Sequence, residues 1–212
     1  MGATVDAMNR LCRQPSGRTH DRTHVADGPG AGAARRPARQ AGRVLPPDRP
    51  TVVVLVGAPG SGKTTFRRAL VAAGLDAGLV VSLDDLRREE QAVDVAAGRP
   101  ARPLQAYSLR AVRRAERRCD ALAGFGAGYL ADATNLRRRE RVTHARRAAD
   151  CRLPAVAVLL PDLPLDVLLE RDAGRPAHER VPAEVLGKHA HRRSLLSASM
   201  LAEEGFAAVV EP

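Results

Sequence analysis

The sequence predicts an α/β domain with a parallel sheet of about five strands and helices on both faces. Short β-branched or apolar runs recur along the chain, and longer helical patterns separate them. A glycine-rich segment follows the first run directly, and polar clusters follow two of the later runs. Because ligands of parallel sheets bind beyond the carboxyl ends of the strands, these segments predict a site at that edge.

The first predicted strand covers residues 51–56, a run of β-branched and leucine side chains that ends at glycine. Such a run is typical of a strand buried on both faces. Further strands are predicted at about 79–83, 128–132, 155–160 and 207–210. Helices are predicted at 63–73, 104–123, 136–149, 165–172 and 183–204.

Residues 1–49 show no sustained apolar pattern, and proline and glycine interrupt them repeatedly. Such a segment buries too little apolar surface to offset its ordering entropy, which predicts a disordered basic tail. A nucleic-acid-binding arm is the functional alternative, and a start codon assigned too early, with Met8 as a second candidate, is another. Residues 50–212 are predicted to form the folded domain.

The net charge of +10 is carried almost entirely by arginine, since lysine occurs only at Lys63 and Lys188. This bias, with abundant alanine and glycine, indicates a GC-rich coding genome rather than selection for a polyanionic partner, so basicity alone identifies no partner. Cys12, Cys119 and Cys151 match no metal pattern and predict reduced thiols in a cytoplasmic protein. The apolar runs are too short to span a membrane, which predicts no membrane partner.

Residues 57–64 match the phosphate-binding pattern G-x-x-x-x-G-K-[ST] in full, between a strand and a helix. Backbone N–H groups of such a loop cradle phosphate oxygens, and the helix dipole adds positive charge. The pattern predicts a P-loop NTPase three-layer sandwich that binds ATP, with Lys63 on the β- and γ-phosphates and the Thr64 hydroxyl on Mg²⁺. A chance glycine turn is the alternative. The predicted ATP-binding residues here are Gly57, Ala58, Pro59, Gly60, Ser61, Gly62, Lys63, Thr64 and Thr65.

Asp84, Asp85 and Arg87 come at the end of the second predicted strand. A phosphoryl-transfer enzyme needs a base for its acceptor hydroxyl at such a position, and Asp84 is the candidate. Asp84 is also a candidate Mg²⁺ contact, directly or through water. Arg87, one turn into a helix, is a candidate for binding an anionic group of the acceptor. Alternatively, the two aspartates cap a helix and Arg87 is solvated.

Four motifs in order carry a resemblance to a known family: G-A-P-G-S-G-K-T-T, then S-L-D-D-L-R, then D-A-T-N at 132–135, then Arg171-x-x-x-Arg175 before Val181-Pro182. Together they resemble the polynucleotide 5′-hydroxyl kinases and the wider group of small P-loop kinases with zeta-toxin-like architecture. The resemblance covers residues 51–212.

The resemblance implies that Asp84 activates the acceptor hydroxyl and that Arg87 contacts an acceptor phosphate. It places Asp132 and Asn135 in the acceptor part of the site, although Thr134 and Asn135 could instead cap the next helix. It also implies a helical lid whose arginines, Arg171 and Arg175, close over the triphosphate, with Arg175 as a catalytic residue beside Asp84 and Lys63. Two ordinary surface arginines are the alternative.

The sequence gives no reason to assign a catalytic role to the remaining arginine and histidine side chains. The arginine-rich segment 137–141 is interpreted as a solvated helix face, with contact to an acceptor strand as the alternative. No chemistry is assigned to His178, His189 or His191.

The predicted function is an ATP- and Mg²⁺-dependent kinase that phosphorylates a hydroxyl acceptor, with a polynucleotide 5′-end as the first candidate. Aromatic residues make up only 2% of the chain, whereas readers of single-stranded nucleic acid stack bases on aromatic rings. A small-molecule kinase acting on a sugar, a nucleotide sugar or an antibiotic is therefore the second candidate. A non-catalytic ATP-binding switch is the third, but such a switch needs no acceptor base.

Overall fold

The computed structural model describes residues 49–212. The predicted tail, residues 1–49, lies outside the described residues except for Arg49. The five strands of the described domain are β1 (Val52–Val56), β2 (Val80–Ser82), β3 (Tyr129–Asp132), β4 (Ala155–Leu159) and β5 (Ala208–Val210).

The strands form one parallel sheet in the order β2-β3-β1-β4-β5. β1 is central, with Val52 opposite Tyr129 of β3 on one side and opposite Ala155 of β4 on the other. The predicted α/β class with a five-stranded parallel sheet is confirmed. All five strands lie within two residues of their predicted bounds, because β-branched runs buried on both faces give a strong sequence signal.

The helices are α1 (Lys63–Ala72), α2 (Leu83–Ala96), α3 (Ser108–Gly124), α4 (Arg138–Asp150), α5 (Leu165–Ala173), α6 (Ala183–Ser194) and α7 (Ala198–Glu203). They cover both faces of the sheet. Val52, Val54 and Val56 pack in a core with residues of α2, α3, α4 and α7. Val53 and Leu55 point to the opposite face and pack in a second core with α1. This alternation follows from the two-residue period of a strand.

Three helical segments differ from the predictions. The helix predicted over 104–123 begins with a 3₁₀ turn, Leu104–Tyr107, before α3. The helix predicted over 183–204 is two helices, because Ser197 leaves the helical conformation and its hydroxyl accepts from Met200 N at the start of α7. α2 was predicted only at its first turn, near Arg87, since its charged sequence buries only Leu86 and Asp94.

The arginine-rich segment at the start of α4 is not wholly solvated. Arg141 is 1% exposed, and its guanidinium donates two hydrogen bonds to Glu204 at 2.6 and 2.7 Å. A third bond reaches the carbonyl of Asn135 at 3.2 Å. Arg141 therefore joins α4 to the end of α7 instead of facing solvent or an acceptor. Within the described domain, no helix has the length and apolarity needed to cross a membrane.

Candidate active site

A cleft of about 1080 Å³ opens at the carboxyl edge of the sheet, where the sequence predicted a site. Its floor is the loop between β1 and α1. One end is lined by α2 and the 3₁₀ turn Leu104–Tyr107, and the other by the segment after β4 and by α6. The first residues of the β3–α4 connection also line it. The polar segments that follow separate strands in sequence therefore share one cavity.

The loop of residues 57–62 has the conformation that its glycines permit. Gly60 and Gly62 have φ values of 83° and 101°, in the left-handed region that favours glycine. A Cβ atom at Gly57 would lie 2.6 Å from Ser61 Oγ and 2.8 Å from Leu160 Cβ, so a side chain does not fit there. α1 begins at Lys63, and no side chain caps its free N–H groups. The N-terminus of α1 is thus open for an anion.

Lys63 is held inside the loop by two backbone carbonyls. Its Nζ donates to Gly57 O at 3.0 Å and to Ala58 O at 2.7 Å. Burial of the ammonium lowers the Lys63 pKa to about 8, although the nearby carboxylates of Asp132 and Asp84 oppose the shift. Arg175 adds a smaller lowering effect. The phosphates of a bound polyphosphate would place further negative charge beside this ammonium and so favour its charged form.

The junction between β1 and the loop is fixed by the β3–α4 connection. Gly57 N donates to Thr134 O at 3.0 Å, and the Asn135 side-chain amide donates to Leu55 O at 2.8 Å. Asn135 is 4% exposed, has a φ of 47° and does not line the cleft. The geometry gives no support to an acceptor contact by Asn135, which instead positions the loop. The capping alternative for Thr134 and Asn135 is wrong, because α4 begins at Arg138 with Arg137 as its N-cap.

Asp84 lies in the first turn of α2 and faces the cleft with 67% of its side chain exposed. Ser82 is the N-cap of this helix, and its hydroxyl accepts from Asp85 N at 3.3 Å. The helix-cap alternative for the two aspartates is therefore wrong, and the Asp84 carboxylate is available for other contacts. Arg87 donates to Asp84 Oδ1 at 2.6 Å and to Ser108 Oγ at 3.1 Å. Arg87 also lines the cleft, at its α2 end.

Arg67 is a site residue that sequence reasoning missed. From the second turn of α1, its Nη1 donates to Asp85 at 2.7 Å and to Asp132 at 2.9 Å. Burial raises the pKa of Asp132, while Arg67 and Lys63 oppose that rise. Asp132 lines the cleft, as predicted for an acceptor residue, but one of its oxygens is already bonded to Arg67. The only signal for Arg67 in the sequence was its position on the predicted helix, four residues after Lys63.

Both predicted lid arginines line the cleft. Arg171, in the last turn of α5, donates to Gly60 O at 2.9 Å. Arg175 lies just beyond the end of α5, and its Nε is 3.6 Å from a carboxylate oxygen of Asp172. The other oxygen of Asp172 accepts from Val181 N at 3.0 Å.

An ion pair joins the two sides of the cleft. Arg88 of α2 donates to Asp85 at 2.9 Å and to Glu179 at 2.9 Å. Glu179 belongs to the 3₁₀ turn Ala177–Glu179, which follows Arg175 in the chain. Within the described domain, α2 and the 3₁₀ turn that follows α5 are therefore in direct contact.

The cleft fits a nucleotide polyphosphate with Mg²⁺. Thr64 and Thr65 are exposed at the start of α1 and line the cleft, and Ser61 Oγ is buried without a hydrogen-bond partner in the loop. No group of three or more His, Cys, Asp or Glu side chains in residues 49–212 could hold a metal alone. Mg²⁺ in nucleotide sites usually takes few protein ligands and several phosphate or water oxygens. The Thr64 hydroxyl and the Asp84 carboxylate are suited to that limited role.

The aromatic residues of the described domain are poorly placed to stack bases. Phe66 lines the cleft but is 2% exposed, and Tyr107, Tyr129 and Phe206 are also buried. Phe125 is 82% exposed, but it follows α3 and precedes β3, at the edge of the sheet away from the cleft.

The sequence matches the AAA domain family, AAA_33, over residues 52–196. Among solved structures, the chain is similar to the AvrRxo1-ORF1:AvrRxo1-ORF2 complex with sulphate ions. That alignment has a TM-score of 0.55 and 19% identity, and covers 74% of this chain and 51% of the other. The same complex with ATP aligns with a TM-score of 0.52, 18% identity and the same coverage.

The chain spans about half the length of the AvrRxo1 chains that it matches. A chain of the PezAT toxin–antitoxin system of Streptococcus pneumoniae aligns with a TM-score of 0.42 and 18% identity, covering 59% of this chain and 53% of the other. No curated protein matches the sequence. The fold and the phosphate loop are those of a nucleotide-binding P-loop domain.

Proposed function

The chain belongs to the AAA domain family, and from that membership and its cleft we propose that it is an ATP- and Mg²⁺-dependent kinase of a hydroxyl acceptor. One observation carries the proposal: the exposed Asp84 carboxylate shares a cleft with the phosphate loop. A nucleotide switch needs the loop but has no use for an acceptor base in this place. A phosphotransferase needs both.

The donor half of the proposed site is the loop and the start of α1. Backbone N–H groups of residues 60–65 would hold the β- and γ-phosphates, and the Lys63 ammonium would move from its two loop carbonyls toward them. Thr64 would hold Mg²⁺, which neutralises charge on the β- and γ-oxygens when it is bound. ATP is the proposed donor, since a structure of the same fold has been crystallised with ATP.

The acceptor half is the end of the cleft lined by α2. The acceptor oxygen attacks the γ-phosphorus, its proton passes to the Asp84 carboxylate, and the bond from the γ-phosphorus to the bridging oxygen breaks to release ADP. Arg87 holds Asp84 in place at 2.6 Å, and its remaining N–H groups can bind an anionic part of the acceptor. Asp132 lines the same cleft and accepts from Arg67 of α1 at 2.9 Å, so we expect it to order the start of α1 on the donor side.

Arg171 and Arg175 would stabilise the transferring phosphoryl group from the lid side. Arg171 already contacts the loop at Gly60 O, and Arg175 is near enough to Lys63 to lower its pKa. Positive charge at this position opposes the negative charge that spreads over the equatorial oxygens in the transition state. A catalytic arginine in related chemistry contributes about 10³–10⁵ in rate.

The acceptor class has two candidates. The resemblance to polynucleotide 5′-hydroxyl kinases favours a nucleic-acid end, and Arg87 suits an acceptor that carries phosphate. The second candidate is a small molecule, because none of the aromatic rings in residues 49–212 is exposed in the cleft to stack a base.

A transfer assay tests the proposal and separates the two acceptors. The protein is incubated with Mg²⁺ and γ-labelled ATP against 5′-hydroxyl DNA, 5′-hydroxyl RNA and a pool of small metabolites, and the label is followed. Lys63→Ala is expected to abolish transfer. Lys188→Ala, at the other lysine, is the matched control and should transfer as wild type, because Lys188 is 61% exposed and pairs only with Glu184 in the described domain. Slow ATP hydrolysis without label on any acceptor would overturn the kinase proposal.

A further inference from the structure

Asp172 is a buried carboxylate beside the two lid arginines. It lies in the last turn of α5, directly after Arg171, and is 5% exposed. One of its carboxylate oxygens, Oδ2, accepts from Val181 N at 3.0 Å. The other oxygen, Oδ1, is buried and has no hydrogen-bond partner within residues 49–212. A buried carboxylate oxygen without a hydrogen bond is costly, so this atom indicates a contact that is not yet made.

Arg175 carries the positive charge that faces this oxygen. Its Nε lies 3.6 Å from Asp172 Oδ1, which is an ion-pair distance but too long for a hydrogen bond. The backbone of Arg175 is fixed, because its N–H donates to Asp172 O at 3.0 Å and its carbonyl accepts from Arg180 Nε at 2.9 Å. The Arg175 side chain is 34% exposed and lines the cleft. A small rotation of this side chain would bring Nε within hydrogen-bond distance of Oδ1.

The shape of the guanidinium gives this pairing a use. Its Nε and its two terminal nitrogens lie in one rigid plane. When Nε donates to a fixed carboxylate, the orientation of that plane is set, and N–H groups of the terminal nitrogens are left for phosphate oxygens. An arginine that is already held loses less side-chain entropy on binding phosphate than a free one does. Asp172 is suited to hold it, since its other oxygen is tied to Val181 N.

We propose that Asp172 is a positioning residue for Arg175: its Oδ1 accepts from Arg175 Nε and so aims the terminal nitrogens of the guanidinium at the γ-phosphate. Closing the 3.6 Å separation gives the unpaired oxygen its hydrogen bond and orients the arginine in one movement. The inference rests on the proposed function in taking ATP as the nucleotide and Arg175 as its lid arginine. The opposite arrangement, in which Asp172 holds Arg175 back from the phosphates, predicts the opposite result for the same variant.

The ratio of ATP affinity to ADP affinity reports contacts to the γ-phosphate and is measured by calorimetry with Mg²⁺ and no acceptor. Arg175→Ala is expected to lower this ratio by about 10-fold, the effect of one lost charge-assisted hydrogen bond. Asp172→Asn should lower it by about 3- to 5-fold, because its amide oxygen still accepts from Val181 N whereas its NH₂ group cannot accept from Arg175 Nε. Removal of a negative charge alone, or release of a restrained Arg175, would raise the ratio. A raised or unchanged ratio for Asp172→Asn would therefore overturn the proposal.

A double variant separates the positioning role from a structural one. In the Arg175→Ala background, Asp172→Asn should change the ratio by less than about 1.5-fold, because the residue through which it acts is gone. An equal fall in both backgrounds, or an unchanged ratio for Arg175→Ala itself, would overturn the proposal. Asp166→Asn, at an exposed carboxylate of the same helix, is the matched control and should keep the wild-type ratio. ADP affinity at the wild-type level shows that each variant is folded.

Arg175→Lys tests the same proposal without altering the buried carboxylate. Lysine keeps the positive charge but has no planar fork that can pair with Asp172 and phosphate together, so the ratio should fall by about 5-fold. A wild-type ratio for Arg175→Lys would show that charge alone is sufficient and would contradict the proposal. All these readouts are binding constants, so an absence of transfer to any acceptor would refute the proposed function alone.

Discussion

Replacing Arg67 with alanine is expected to destabilise the fold by about 2–4 kcal/mol at neutral pH, because it leaves a buried carboxylate without its partner. Arg67 Nη1 lies 2.9 Å from Asp132, which is 9% exposed, and 2.7 Å from Asp85, which is 43% exposed. A half-exposed pair contributes at most about 1 kcal/mol. Most of the expected cost therefore comes from Asp132.

The pH dependence of this cost follows from the Asp132 pKa. Burial raises that pKa in the folded state, and Arg67 holds the rise back. Without Arg67 the folded pKa rises further, while the unfolded value stays ordinary. A carboxyl with a raised folded pKa stabilises the fold below its unfolded pKa, and this stability is lost as the pH rises through the folded pKa. The cost of Arg67→Ala should therefore be larger at neutral pH than in acid.

Urea unfolding in a double-mutant cycle shows whether the stability lost in Arg67→Ala comes from the Asp132 charge. With Asp132→Asn as background, Arg67→Ala is expected to cost less than about 1 kcal/mol, since no buried charge remains unpaired. Arg68→Ala, at the adjacent exposed residue of α1, should change the stability by less than about 0.5 kcal/mol. An equal cost of Arg67→Ala in both backgrounds would refute the argument from the Asp132 charge.

Two further predictions concern the loop. ATP binding at about pH 9 should be accompanied by proton uptake, because the phosphate charge raises the Lys63 pKa from about 8 in the free protein. Calorimetry in buffers of different ionisation enthalpy measures this uptake. The Lys63→Met variant should show none. Asn135→Ala should cost about 2–3 kcal/mol in urea unfolding, from the lost bond to Leu55 O and the strain of a positive φ. Asn135→Gly should cost about 1 kcal/mol less, because glycine tolerates that φ, and an equal cost would exclude strain as a cause.

The sheet and the phosphate loop could be predicted because their signals are local. A buried parallel strand needs a continuous apolar run, and the loop needs glycines at fixed spacing before a lysine. The break at Ser197 between α6 and α7 could not be predicted from the sequence. A serine in a helical pattern can either continue the helix or cap the start of a new one, and tertiary packing decides between them. Most of α2 was not predicted, because its sequence is rich in charged residues and has too few buried apolar positions to show a helical period.

The partners of charged side chains were the least predictable part of the site. Arg67 and Arg141 look like any other arginine in an arginine-rich sequence, yet one joins two site carboxylates and the other is buried against Glu204. Their partners are 18, 65 and 63 residues away, so no local pattern marks them. Asn135 was predicted to bind the acceptor, but its amide donates to Leu55 O of β1 from a residue with a left-handed backbone.

The role of Asp84 as acceptor base is the central claim, and the Asp84→Asn variant tests it most directly. The measurement compares ATP affinity with the rate of γ-phosphate transfer to the acceptor that the wild-type protein labels. Asparagine keeps the shape of the side chain but takes up no proton, so ATP affinity should stay within about 2-fold while transfer falls by about 10²–10⁴-fold. Transfer at the wild-type rate by Asp84→Asn would contradict the account.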